Sequence, residues 1–163
     1  MKLKTLSPEE VAILTPRITD ELNLRYFHES AWAWLRLNGY NKAAKYFKEQ
    51  SISEFNHYKH IVKILVDWNV KVEFPAIEAP FTDFENIIDV LERDYQLKLD
   101  LGDKYDADGQ AMFALNQMLY RKIFITFIHD MKNLTEEAKR KLVLAQKWVV
   151  SDPNLVEFES DIF

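Results

Sequence analysis

Two prolines five residues apart, Pro75 and Pro80, interrupt a chain that elsewhere carries long helical patterns. Proline removes a backbone donor and clashes with the preceding turn, so residues 71–81 cannot be helical throughout. They read as an extended crossover. On either side the apolar residues recur at helical spacing. Only three glycines and five prolines occur in 163 residues, a scarcity that suits long helices and not a turn-rich β fold. Hydrophobic residues make up 48% of the chain and aromatics 13%, enough to exclude a disordered polymer.

Before the crossover, Ser7-Pro8-Glu9-Glu10 has the signature of a helix start: a capping serine, proline in the first turn, then acids at the positive end of the dipole. A helix over 8–37 follows, kinked or restarted at Pro16, and Asn38-Gly39 marks a turn. A second helix covers 41–70, with Ala44, Phe47, Phe55, Ile61 and Leu65 on or near one face. After the crossover, Thr82-Asp83-Phe84-Glu85 resembles a capping box opening a third helix over 82–105. Asp106-Ala107-Asp108-Gly109 reads as a turn before a fourth helix over 110–132. Asn133-Leu134-Thr135-Glu136 then opens a short fifth helix over 135–149, stopped by Ser151-Asp152-Pro153 and followed by a loose acidic tail. Two helical hairpins joined by one long crossover make an all-α four-helix bundle, expected as a single domain over 1–163.

The net charge of −5 is mild and argues against a nucleic-acid surface. Without cysteine there is neither a disulfide nor a thiolate metal site. No apolar run is long enough to span a membrane, and the first residues lack the apolar segment of a signal peptide. The expected location is the cytoplasm.

One local pattern carries chemistry. Glu54 and His57 lie three residues apart, and at about 100° per residue a helix points both to the same side. Such a pair can chelate a metal ion, yet it arises often by chance on solvated helix faces. Its surroundings sharpen it. From about residue 18 to residue 84 the chain resembles bacterial and archaeal ferritins, through Ala43-Ala44-Lys45-Tyr46-Phe47, then Glu54-x-x-His57, then Pro75-Ala76-Ile77-Glu78-Ala79-Pro80. Ferritins carry an iron-binding glutamate on the first helix 33 residues before the second-helix glutamate, which falls here on Glu21 without a gap. Trp34 and Gly39 also take positions where relatives have Trp and Gly. The resemblance implies a ferritin-like fold, an iron-binding or iron-storage role, and Glu21, Glu54 and His57 as half of a diiron centre. Ferrous iron suits imidazole and carboxylate ligands. Any catalysis would be oxidation of Fe(II) by oxygen or peroxide.

The other half departs from the pattern. The third-helix iron glutamate of ferritins falls on Lys98, whose ammonium is a donor and no ligand. On the fourth helix, Gln117 is a candidate for the ligand-position glutamine, which places Tyr120 where a glutamate belongs. A register shifted by one turn puts Arg121 and Phe124 there instead. Two readings follow. Either Glu21, Glu54 and His57 hold one iron, or Lys98, with Arg121, replaces the metal by pairing directly with Glu21 and Glu54. The second describes a non-catalytic structural subunit, like light-type ferritins, or a helical interaction bundle. The family also implies a homo-oligomer, with a cage as its usual form.

The remaining histidines divide by position. His28, seven residues after Glu21 on the same face, is a further candidate ligand, although a hydrogen-bonded interior histidine is the commoner outcome. His60 is rotated about 120° from the metal-facing side, and His129-Asp130 suits a surface pair near a helix end. Lys139, Arg140, Lys141 and Lys147 suit a solvated face.

Overall fold

The computed structural model of the chain describes residues 5–115, 118–149 and 155–163. Five helices lie in this order: α1 Pro8–Leu37, α2 Asn41–Asp67, α3 Ile87–Ala114, α4 Met118–Val149 and α5 Leu155–Ile162. The first four are long. α1 packs along α2, α3 along α4, and the two pairs meet through α1 and α3. This is the expected bundle, with a short helix at its C-terminal end.

The start of α1 is capped from the sequence outward. Ser7 Oγ accepts from the Glu10 amide at 3.2 Å, and Glu10 Oε2 accepts from the Ser7 amide at 2.6 Å. The helix then continues through Pro16. At its end Gly39 takes φ +85°, the left-handed conformation that glycine adopts without strain. That turn brings α2 back against α1, and Phe27, Ala31, Leu35, Ala43, Ala44 and Phe47 close the core between them.

Several boundaries differ from the sequence expectation, each for a physical reason. α2 ends at Asp67, where Asn69 takes φ 57° and turns the chain out of the helix. The crossover is correspondingly longer. It passes Tyr58 with Phe74, then reaches Ser30, whose hydroxyl donates to the Phe81 carbonyl, and buries Phe84 against Trp34. It therefore runs back along the bundle to the far end of α1. The helix it delivers begins at Ile87, not at Thr82. Asn86 is the cap, and its Oδ1 accepts from the amides of Ile88 and Asp89.

α3 also continues past the Asp106–Gly109 string read as a turn. Asp108 lies 3.0 Å from Arg17 Nε on α1, and Gly109 faces Ile128 so closely that a Cβ would sit 2.7 Å from its Cδ1. The glycine serves close helix packing there. Likewise α4 does not break at Asn133–Glu136. Thr135 Oγ1 donates to the Met131 carbonyl at 2.8 Å, so a cap-type residue is satisfied inside the helix. Residues 135–149 thus form the second half of α4.

The short fifth helix comes from the acidic tail instead. Phe158 and Ile162 are buried, Phe158 against Tyr40 and Trp148. Glu159 does more. The N-cap position of α2 is Tyr40, which has no side-chain capping bond, and Glu159 Oε1 accepts from the amides of Lys42 and Ala43 at 2.9 and 3.0 Å. A carboxylate from one helix thereby caps another, at the positive end of its dipole. Glu159→Ala should lose about 0.5–2 kcal/mol, the usual cost of a cap, readable as a lower unfolding temperature. Lys141, expected on a solvated face, is buried below α5. Its Nζ donates to the Ile162 carbonyl at 3.1 Å and lies over the Tyr46 ring, and burial lowers its pKa.

Candidate metal centre

The α1–α2 hairpin brings Glu21, Glu54 and His57 together. One donor atom from each lies within 4.8 Å of the others. His57 Nδ1 is 3.2 Å from Glu54 Oε2 and 3.6 Å from Glu21 Oε2. Both carboxylates are fully buried, while the His57 side chain keeps 17% exposure and forms the side of the site that meets solvent.

Electrostatics follow from this packing. Burial pushes Glu21 up to about 7, the neighbouring Glu54 charge adds to the effect, and the facing His57 imidazole opposes it. Burial pushes Glu54 the same way, but the bond from His57 and the positive fields of His28 and His57 overcome it and hold this carboxyl below its ordinary value. Burial alone would lower His57. The two carboxylates outweigh it and raise the imidazole to about 10. In the metal-free chain the imidazolium is thus the cation that the carboxylates share.

Two buried oxygens, Glu21 Oε2 and Glu54 Oε1, have no hydrogen-bond partner among the described residues. Acceptors left in this state suit a cation, and carboxylate oxygen with imidazole nitrogen is a donor set for divalent first-row metals. Among the described residues, no aspartate or glutamate of α3 or α4 joins the three. What those helices supply is aromatic. The Tyr105 hydroxyl donates to Glu21 Oε1, the Tyr105 ring stacks on Phe127 at 5.4 Å, and Phe127 meets the His57 ring edge-on at 5.7 Å. Reading the third helix as ending near Tyr105 hid this residue. It stands seven positions after Lys98, two turns along the same face.

Lys98 does not pair with Glu21 or Glu54. It is fully buried, but its Nζ lies 2.9 Å from Asp94 Oδ2 and 3.2 Å from Gln50 Oε1. Asp94 is one turn back on α3, the spacing at which helix side chains meet, and it satisfies the ammonium first. His28 Nε2 binds the other oxygen of Asp94 at 2.8 Å. His28 is accordingly an interior hydrogen-bonded histidine and not one of the three converging donors. Burial would raise Asp94, but Lys98 and His28 prevail and keep it below its usual value. The spacing of Asp94 and Lys98 is the one sequence signal for this pair, and it does not mark Asp94 as buried, since such pairs usually face water. Gln117 and the side chains of Tyr120 and Arg121 lie outside the described residues. Phe124 is a core residue. His60 is exposed with its ring against Phe127, and His129 faces Asp130 at 3.8 Å on the surface of mid-α4 rather than near a helix end.

The sequence profile of the ferritin-like domain family matches residues 11–144, most of the chain. The chain belongs to the ferritin-like family. A bacterial non-heme ferritin of Campylobacter jejuni is 25% identical to this ferritin-like chain over 91 residues, 56% of the chain and 54% of that relative. The match thus spans about half the relative's length. A crystal structure of an iron-soaked PmFTN variant superposes with a TM-score of 0.89, at 18% identity, over 96% of this chain and 100% of the other. An Archaeoglobus fulgidus ferritin engineered into a closed form superposes with a TM-score of 0.89, at 12% identity, over 97% and 96%. At these identities the structural likeness establishes the fold.

Proposed function

We propose that this ferritin-like subunit binds ferrous iron as its cargo, one ion per chain, at Glu21, Glu54 and His57, and works in iron storage. The observation that carries this reading is the convergence of three donors of the right chemistry around two buried carboxylate oxygens that lack partners. Among the described residues the neighbourhood supplies no second set. Tyr105 and Phe127 face the three from α3 and α4, and Lys98 is committed to Asp94.

The consequence for chemistry is direct. A single ferrous ion yields one electron, whereas reduction of dioxygen to peroxide takes two. Oxidation of Fe(II) at this site is therefore slow, and the subunit serves retention more than turnover. The two carboxylates bind and neutralise the ion, and His57 gives up its proton to become a ligand. We place the subunit in a cytoplasmic homo-oligomer of the ferritin kind. Among the described residues no helix is long and apolar enough to cross a membrane.

A second reading draws on one observation. The His57 imidazolium already bridges both carboxylates, so a structural, metal-free subunit is chemically coherent. In that reading His57 stands in for the metal, rather than Lys98. Anaerobic titration with Fe(II), followed by calorimetry, separates the two. Saturation at about one ion per chain, abolished by His57→Ala, is the expected result. Absence of saturable binding would leave the structural subunit. Rapid oxidation on admitting air would contradict the single-ion site.

A further inference from the structure

We propose that Tyr105 positions Glu21 as a one-oxygen ligand and so sets which metal ions the site prefers. The inference rests on the iron-site reading above and goes beyond it to the selectivity of the site.

Tyr105 is 1% exposed, so its hydroxyl must find a partner inside the protein. That partner is Glu21 Oε1, which accepts its hydrogen. The two oxygens of Glu21 are thereby made unequal. Oε1 is tied to α3, while Oε2 has no hydrogen-bond partner and faces His57 Nδ1 at 3.6 Å. The ring behind the hydroxyl cannot drift. It stacks nearly parallel on Phe127, at 19° between planes, and Phe127 in turn touches His57. One aromatic pair therefore fixes both a carboxylate ligand and the imidazole ligand.

A carboxylate held by one oxygen offers a single donor. Such a site favours ions content with few ligands, of which Zn(II) in its tetrahedral sites is the clearest case. Ions that prefer six oxygen donors, such as Mn(II), gain from carboxylates free to bind through both oxygens. Tyr105 occupies one lone pair of that second oxygen and restrains the group, which makes it the poorer donor. Without the hydroxyl, Glu21 can swing and present both.

The test compares Zn(II) and Mn(II) affinities, measured by competition with a chromophoric chelator, in wild type and in Tyr105→Phe. Zn(II) binding should weaken about tenfold or more, as when outer partners of metal ligands are lost, while Mn(II) binding holds or tightens. The Zn-to-Mn ratio should fall accordingly. Tyr46→Phe is the control, because its buried hydroxyl has no hydrogen-bond partner among the described residues; it should leave the ratio unchanged. Phe127→Leu, which keeps the hydroxyl but removes the ring it leans on, should move the ratio in the same direction by less. Equal weakening of both ions in Tyr105→Phe would mean a merely structural role and overturn the proposal. So would an unchanged ratio. Wild type that binds neither ion would overturn the iron-site reading and this inference with it, which separates the two failures.

Discussion

Asp94→Ala should lower stability by about 3–5 kcal/mol, the cost of stripping one partner from a buried ion pair. Asp94 has no exposure and holds two cationic or hydrogen-bonding groups at once, Lys98 at 2.9 Å and His28 at 2.8 Å. Removing it leaves the Lys98 ammonium in a dry core with only Gln50 Oε1. It also leaves His28 with neither ring nitrogen bonded among the described residues, since Nδ1 already lacks a partner. Lys98→Met should cost much less, because Asp94 keeps His28. Replacing both as Asp94→Leu with Lys98→Met should recover most of the loss, as apolar substitutes for buried pairs commonly do. Chemical denaturation of the three variants reads these differences. A loss below about 1 kcal/mol for Asp94→Ala, the range of ordinary substitutions, would show that the pair is not dry. The pH dependence has a definite sign. Asp94 is held below its usual value, so its contribution is present above the ordinary aspartate pKa of about 3.9 and disappears as pH falls through the lower folded value. The gap between wild type and variant should close only in that acid range. Lys98→Glu, for the same reason, is a poor route to the absent ligand. It would set two carboxylates one turn apart in the core.

The residues that sequence alone could place are those whose role is local or periodic. Ser7 and Glu10 cap α1 because the spacing of a capping box is fixed by one turn of backbone. Pro75 and Pro80, five residues apart, disfavour a helix through the crossover, although the single Pro16 is carried inside α1. Glu54 and His57 share a face by helical geometry, and Glu21 joins them through a spacing that relatives share. What could not be seen depends on which of several possible partners the fold selects. Gly109 looks like a turn residue until Ile128 of another helix stands against it. Asn133 and Thr135 look like a helix start until they are found satisfied within α4 by His129 and the Met131 carbonyl. The tail looks loose because its acids are read as solvated, yet Glu159 supplies the cap that Tyr40 cannot. Lys98 is buried, and its counter-ion is Asp94 one turn away on the same helix, not Glu21 or Glu54 across the bundle.

Glu21→Gln is the variant that should separate metal binding from folding most sharply. Glu21 is the carboxylate that burial and Glu54 most disfavour in its charged form. Its amide replacement keeps the shape, can still accept from Tyr105, and removes one of two buried negative charges that face each other across His57. The metal-free protein should therefore unfold at a temperature no lower than wild type. Metal binding should suffer, because one of the three donors becomes a neutral amide oxygen and the site loses a charge. An ion that binds only the folded chain adds about 2.7 kcal/mol of stability when its free concentration is 100 times the dissociation constant. If the substitution weakens binding about 100-fold, the same concentration adds only about 0.4 kcal/mol. Thermal unfolding with and without Zn(II) should thus show a large metal-dependent rise for wild type and almost none for Glu21→Gln, from similar metal-free baselines. An equal rise in both would remove Glu21 from the ligand set. A metal-free Glu21→Gln protein well below wild type in stability would show instead that the Glu21–His57 ion pair, and not the metal, is what this carboxylate is retained for.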